Sequence, residues 1–287
     1  MNEKLVYIIL LNYKGYDDTT ACIRSLRKIN YINYKIIVID NYSCDGSYEK
    51  LKDKNKDCIL IKADANNGFS AGNNIGIHYA MEHDADYIML LNNDTEVKND
   101  FLSKMIDVAD DDTVITPSIY FFSNPSEVWY AAGRINYNRC TVSNDGDEKS
   151  KYCDYASGCC LLIPRKVIEK VGYWAEEYFM YYEDMDYSIR IIRNGFKIFY
   201  NKDAVVYHKV GKSAGIGSRL SIYYNVWNRL YIINKFNFGI KSILFTVISR
   251  VIRYIESYFK HNNNNICLKA MIDYYMGRRC ELNFLKE

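Results

Sequence analysis

Tyr87-Ile-Met-Leu-Leu-Asn-Asn-Asp94 is the stretch on which the fold class turns. Its unbroken apolar run predicts a strand buried on both faces, with a carboxylate at its end. Apolar runs at 5–11, 35–39 and 58–62 repeat the pattern, and segments with helical periodicity follow each run, at about 17–29, 46–54, 70–83 and 99–109. Strand and helix in alternation predict an α/β fold with a largely parallel sheet and helices on both faces. Ligands of such sheets bind beyond the carboxyl ends of the strands, which directs attention to Asn12, Asp40-Asn41, Asp64 to Asn67 and Asn92-Asn93-Asp94.

From about 113 to 163 the pattern changes to short strand-like pieces, including 129–141 and 155–163, with a polar loop at 143–151 between them. They predict a small antiparallel extension. A helix is expected from near Glu183 to Gly195, because glycine suits the left-handed position just past a helix. Strands at 197–200 and 204–207 follow. Beyond Gly217 the sequence reads as helical, and Ile243, Leu244, Val247, Ile248, Val251, Ile252 and Ile255 form an apolar stripe flanked by Lys241, Arg250, Arg253 and Lys260. Asn262 to Asn265 reads as a turn. The expected division is residues 1–212 as the α/β part and 213–287 as a basic, aromatic helical region.

A chain of 287 residues that is 49% hydrophobic and 25% charged can bury a full core, which excludes disordered, collagen-like and disulfide-scaffold classes. Its nine cysteines are odd in number and contain no CxxC spacing, so neither a disulfide framework nor a zinc site is signalled. The apolar run at 5–11 is too short for a signal peptide, and no stretch reaches the roughly 18 apolar residues of a membrane span. A cytoplasmic location is expected. The net charge of +2 conceals an asymmetry: residues 212–287 hold 12 Lys and Arg against 4 Asp and Glu, or +8, leaving 25 against 31, or −6, for the rest. The acidic part suits a metal-assisted site. The basic part suits an anionic membrane surface or a phosphorylated acceptor, with a solvated helical face or a dimer contact as alternatives.

Several groups can carry chemistry. Asp40 at a strand end can accept hydrogen bonds from a base or ribose, while Ser43 or Asp45 can cap the helix that follows. Gly68, Gly72 and Gly76 allow the close approach of a nucleotide or of a neighbouring element. Asp94 can hold a hard divalent cation together with substrate phosphates. Glu183, Asp184 and Asp186 open a helix, and three acids in four residues exceed what capping requires, so one of them can serve as a general base. His208, at the end of another apolar run, is a further candidate metal ligand.

Taken together and in order, these pieces resemble the family 2 glycosyltransferases of GT-A fold, in particular the bacterial rhamnosyltransferase-like branch. The matching stretches are Tyr7-Ile-Ile-Leu-Leu-Asn-Tyr13, Val38-Ile-Asp-Asn-Tyr-Ser-Cys-Asp-Gly-Ser47, Asn67-Gly-Phe-Ser-Ala-Gly-Asn-Asn-Ile-Gly76, Leu90-Leu-Asn-Asn-Asp-Thr95, Ser157-Gly-Cys-Cys-Leu-Leu-Ile163, Tyr182-Glu-Asp-Met-Asp186 and Val205-Val-Tyr-His208. The resemblance implies that Asp40, Asn12 and Asn67 line the pocket for the pyrimidine base of a nucleotide sugar. It implies that Asn92, Asn93 and Asp94 meet the diphosphate through Mg²⁺ or Mn²⁺, with His208 as a second ligand. Asp184 becomes the base for an inverting transfer, and Glu183 and Asp186 orient the acceptor or the base. The first acid of the usual Asp-x-Asp triplet is Asn92 here, which removes one charge from the metal site.

The resemblance further implies a dTDP-rhamnose donor, or a UDP-hexose second, and a glycan acceptor that is often lipid-linked. No nucleic acid is expected as a partner. The competing readings are a nucleotidyltransferase, for which the loop Asn12 to Asp18 lacks the expected glycine-rich basic character, and a non-catalytic binding module on a GT-A scaffold. A nicotinamide dehydrogenase is disfavoured because no GxGxxG follows the first strand.

Overall fold

The computed structural model describes residues 3–146, 148–210, 218–259 and 266–279, with the backbone alone for 253–259. The expected boundary at 212–213, the turn at 262–265, Lys260 and the side chains of Arg253 and Ile255 lie outside the described residues. The described residues form two compact units: those within 1–134, 144–179 and 183–213 make the first, and those within 135–143, 180–182 and 214–287 make the second.

In the first unit β1 (Val6–Asn12), α1 (Tyr16–Leu26), β2 (Tyr34–Asp40), α2 (Ser47–Lys54), β3 (Ile59–Lys62), α3 (Phe69–Glu82) and β4 (Tyr87–Asn92) alternate as the apolar runs predict. Val6 to Leu10 have no surface in contact with solvent, so β1 must be paired on both edges and covered on both faces. It pairs in parallel with β2 on one edge and β4 on the other, and β3 lies parallel outside β2. The register sets Asn12 opposite Asp40 and Leu11 opposite Asn92, so the polar residues that end three strands stand side by side.

The chain continues through β5 (Thr95–Val97), α4 (Phe101–Ile106), β6 (Thr113–Phe121), β7 (Val128–Tyr130), β8 (Gly133–Asn136), β9 (Thr141–Asn144), β10 (Lys151–Cys153), β11 (Cys160–Pro164), α5 (Arg165–Val171), α6 (Glu183–Arg193) and β12 (Lys197–His208). The expected antiparallel extension is present: β11 runs antiparallel between β4 and β6, and β5 and β10 pair antiparallel with β12. β6 and β12, however, are parallel to each other, and β8 with β9 makes a separate two-stranded sheet. The two strands expected at 197–200 and 204–207 are one strand. β12 passes through a bulge between Asn201 and Val205, which the Asn201 amide fixes by donating to the Lys104 carbonyl at 2.8 Å. The helix α5 is absent from the sequence reading, although Pro164 precedes it and Gly172 follows it at φ +85°.

α3 packs on β1 through its glycines. A Cβ on Gly72 would stand 2.5 Å from Leu11 Cδ1, and one on Gly76 2.7 Å from Ile9 Cγ2, so these two glycines let a helix approach a strand. Gly68, at φ +96° and ψ −173°, is placed differently: an added Cβ would lie 2.3 Å from the Phe179 carbonyl oxygen, which accepts the Phe69 N–H at 2.8 Å.

The second unit holds α7 (Arg219–Phe236), α8 (Ile240–Phe259) and α9 (Ile266–Tyr275). α7 is capped by the Ser218 hydroxyl, and packs against α9 through Tyr223, whose hydroxyl donates to Asp273 at 3.1 Å. Its fully buried Asn228 donates to the carbonyls of both Met180 (2.8 Å) and Tyr181 (3.0 Å), while the Tyr181 hydroxyl bonds Ser221. These contacts hold Tyr181 and Tyr182 at φ +67° and +72°, a conformation that bulky residues adopt only when it is enforced.

Gly68→Ala is expected to cost about 2 kcal/mol or more, because strain and collision with backbone add. Gly146→Ala, at φ +82° with nothing within 4 Å, is expected to cost roughly 1 kcal/mol from strain alone. Urea denaturation of both variants checks this, and equal losses would show that the Phe179 segment yields.

Candidate active site

A chain of buried hydrogen bonds runs across the ends of β1, β2 and β4. Asn12 Nδ2 donates to Asp40 Oδ2 at 2.8 Å and also faces the hydroxyls of Ser43 and Ser47. Asn12 Oδ1 accepts from the Gly15 N–H and, at 2.9 Å, from the Thr19 hydroxyl, which in turn accepts from Asn93 Nδ2 at 2.8 Å. Asn12 is thus fully buried with both amide atoms committed, and the Asn93 amide is committed to α1. The sequence reads both as donor contacts; in this structure their amides bond to neighbouring protein groups and tie together the loops that carry the other candidates.

Asp40 accepts from the Ser43 N–H on Oδ1 and from Asn12 and Ser47 on Oδ2. A carboxylate offers about four lone-pair positions, so one remains, on Oδ1. Asp45 accepts the Ser47 N–H at 3.0 Å just ahead of α2, but the N-cap of that helix is Gly46 at φ +80°, with no side-chain cap, so neither Ser43 nor Asp45 caps it as the sequence suggests. Asn67 is exposed at the tip of the next loop, whose shape is set by Asn66 Oδ1 accepting from Asn41 Nδ2 and from the Gly68 N–H.

Asp94 lies in the turn between β4 and β5. Because β5 pairs with the end of β12, Thr95 stands opposite His208 and the Lys209 N–H donates to the Asp94 carbonyl at 2.9 Å. This ladder sets Asp94 Oδ1 3.2 Å from His208 Nε2, both side chains being buried. The imidazole is met edge-on by Trp129, ring centroids 4.6 Å apart at 79°, and its Nδ1 is buried with no hydrogen-bond partner among the described residues. Lys209 is tied to Asp18 at 3.3 Å and Glu96 at 3.1 Å, which pins the end of β12 to α1 and β5.

The three acids that open α6 have three different environments. Asp186 has no exposed surface, pairs with Arg190 at 2.6 Å and accepts from the Tyr178 hydroxyl at 3.1 Å; Arg190 also donates to the carbonyls of Val171 and Tyr173. That carboxylate anchors the helix. Glu183 is buried with Oε2 unpartnered, and burial together with the charges of Asp184 and Asp186 pushes its carboxyl well above the usual range, which favours its protonated form. Asp184 accepts from the Tyr155 hydroxyl and the Gly158 N–H (3.2 Å) on Oδ2, and from the Met185 N–H (2.8 Å) on Oδ1. Burial raises its pKa, and these three donors pull it back down.

The segment 158–159 links the two acidic positions. Gly158 donates to Asp184, while the Cys159 carbonyl accepts the Asn92 N–H at 2.8 Å, two residues before Asp94. The Cys159 thiol is pushed far up by burial first and then by the Asp94 charge. Cys22, beside Asn92 and Thr95, is pushed up to about 12 by burial, so neither thiol is a nucleophile at neutral pH. Among the described residues no group of three or more His, Cys, Asp and Glu gathers as a metal site.

The profile of the family described as "Glycosyl transferase family 2" matches residues 6–172, more than half of the chain. The chain belongs to that family. A low-salt glycan biosynthesis hexosyltransferase of Haloferax volcanii is 25% identical over 255 residues, covering 85% of this chain and 81% of the relative. The dTDP-rhamnosyl transferase RfbF of Shigella flexneri is 24% identical over 264 residues, covering 86% and 87%. Among solved structures, GalNAc-T7 with UDP, GalNAc and Mn²⁺ superimposes with TM-score 0.62 at 15% identity, over 95% of this chain and 57% of that one. The mannosyltransferase PcManGT from Pyrobaculum calidifontis, in complex with GDP-Man and Mn²⁺, gives 0.60 at 11% identity, over 96% and 88%. At these identities the structures establish the GT-A fold. This family 2 enzyme is a glycosyltransferase with rhamnosyl and hexosyl transferases among its relatives.

Sequence reasoning passes over Tyr155 and Trp129. Tyr155 is one of 28 tyrosines, and nothing local distinguishes it before its 29-residue separation from Asp184 is closed by folding.

Glu183→Gln is expected to keep the fold and to flatten the pH dependence of stability. Above the unfolded glutamate pKa of about 4.3 the native state retains a proton that the unfolded state releases. Wild-type stability therefore falls with rising pH by up to about 1.4 kcal/mol per unit until the folded pKa is passed. Denaturation of both proteins between acid and mildly alkaline pH should show the glutamine variant gaining relative stability as pH rises.

Proposed function

We propose that this enzyme transfers a sugar from a pyrimidine nucleoside diphosphate to an acceptor hydroxyl with inversion at the anomeric carbon, Asp184 acting as the base. The observation that carries the reading is the sorting of the three acids on α6. Burial favours the protonated form of Glu183, whose Oε2 has no donor, and Asp186 is spent on Arg190, which leaves Asp184 as the carboxylate able to take a proton. A raised pKa brings its basicity nearer to working pH. With one carboxylate available, a single in-line displacement is favoured over a double displacement, which needs a separate nucleophile. The acceptor proton passes to Asp184, the acceptor oxygen bonds to the anomeric carbon, and the bond to the diphosphate oxygen breaks with its electron pair on the leaving group.

The departing diphosphate accumulates negative charge, and Asp94 with His208 supports a divalent cation there. Asp94 Oδ1 and His208 Nε2 are 3.2 Å apart and both buried, and together they would hold one such ion. Mg²⁺ and Mn²⁺ typically take one or two protein ligands and fill the remaining positions with phosphate and water, so a site of two residues fits. The ion would supply Lewis-acid stabilisation of the leaving group. Asn92 and exposed Asn67 border the donor, while Asn12 and Asn93 act by holding Asp40 and the turn that carries Asp94.

The free acceptor position on Asp40 suits the single N3–H of thymine or uracil. The dTDP-rhamnosyl transferase among the relatives favours dTDP-rhamnose as donor. A UDP-hexose is the second choice, and a lipid-linked surface glycan met on the cytoplasmic side is the acceptor that the resemblance of the sequence motifs suggests. Residues 1–212 form the catalytic part in this reading.

Asp184→Asn is expected to lower turnover by roughly a thousandfold with nucleotide binding retained. Asp94→Ala is expected to abolish the Mn²⁺-dependent gain in dTDP or UDP affinity measured by calorimetry. Near-normal turnover in the first variant removes Asp184 as the base, and unchanged metal dependence in the second removes Asp94 as a ligand. Tyr155→Phe deletes a donor that lowers the Asp184 pKa, so the acid limb of the rate profile should move to higher pH. An unmoved limb means that the Tyr155 contact is structural.

A further inference from the structure

α8 is inside out. Ser242 and Thr246 have no exposed surface and Arg250 is 9% exposed, so a polar row at i, i+4 and i+8 faces inward. Ile240, Leu244, Ile248 and Ile252 are exposed by 65%, 51%, 56% and 50%, with Phe245 and Val251 beside them. This apolar row runs about 18 Å along one side of the helix. The inner hydroxyls are satisfied locally, Ser242 donating to the Gly239 carbonyl and Thr246 to the Ser242 carbonyl, each at 2.7 Å. The sequence stripe, equally compatible with a core-facing helix, therefore turns outward at Leu244, Ile248, Val251 and Ile252, with Ile243 and Val247 half-buried. α9 and the turn after it expose Leu268, Ile272, Tyr275 and Met276. Of the seventeen large hydrophobic side chains exposed among the described residues, ten fall within 240–276, a concentration that ordinary surfaces do not carry.

We propose that the outer face of α8 docks on a lipid bilayer surface bearing anionic headgroups. Charge selects this occupant over a second copy: residues 212–287 carry +8, so two such regions repel, whereas an anionic surface is complementary. Lys241, exposed next to Ile240, stands at the edge of the row. No helix among the described residues is long and apolar enough to cross a membrane, so α8 lies in the interface. The inference is independent of donor, metal and base.

The test is flotation of the full chain with phosphatidylcholine vesicles, with and without phosphatidylglycerol, at low and high salt. The wild type is expected to float with the anionic vesicles and to be released by salt. Ile248→Glu combined with Ile252→Glu should weaken binding about tenfold or more by removing apolar area and adding repulsion. Both positions are exposed, so circular dichroism and Tm should match wild type, and Ile192→Glu in the other unit should float normally. The proposal is overturned by absence of flotation at low salt, by a double variant that binds vesicles as wild type does, or by a concentration-dependent dimer in light scattering that the double variant abolishes.

Discussion

The side-chain amide of Asn12 is the interaction on which the rest of the site depends. A parallel sheet brings the ends of β1, β2 and β4 to one level, but it leaves the loops beyond them free to move apart. Asn12 removes that freedom: its donor side reaches Asp40 and its acceptor side reaches Thr19, which takes up Asn93. Every member of this relay is buried, so each bond broken would leave a polar group without water or partner. The turn that carries Asp94 is thus fixed from one side by this relay and from the other by the ladder between β5 and β12.

Within four residues at the start of α6 the protein holds one acid driven toward its protonated form by burial, one carboxylate whose burial is partly offset by donors and one carboxylate paired with an arginine. Sequence proximity makes them look equivalent, and environment separates them. Asp186 meets a guanidinium, Glu183 meets no hydrogen-bond donor at one oxygen, and Asp184 meets three donors that partly offset its burial. Titratable neighbours driven apart in this way are how one site assigns a proton acceptor without ambiguity.

Much of the architecture was legible in the order of residues. The apolar runs of β1, β2 and β4 give parallel strands because burial on both faces leaves no alternation to confuse with a helix, whereas β3 at the sheet edge is only half-buried. Asp40, Asp94, Asp184 and His208 stand out because each ends a strand or opens a helix. What could not be read depends on distant partners. The commitment of Asn12 needs Thr19 and Ser47, the orientation of His208 needs Trp129, and the anchoring of Asp184 needs Tyr155. Periodicity likewise revealed the stripe on α8 without its direction, since the spacing of an apolar face is the same whether it meets a core or a membrane.

The central claim is that one carboxylate, Asp184, serves a single displacement at the anomeric carbon. It is tested most directly by the anomeric configuration of the first-formed product, read by NMR from whichever of dTDP-rhamnose or a UDP-hexose the enzyme consumes. The expected product has the configuration opposite to that of the donor. A product that keeps the donor's configuration would contradict it and would require a nucleophile that the acids of α6 do not supply.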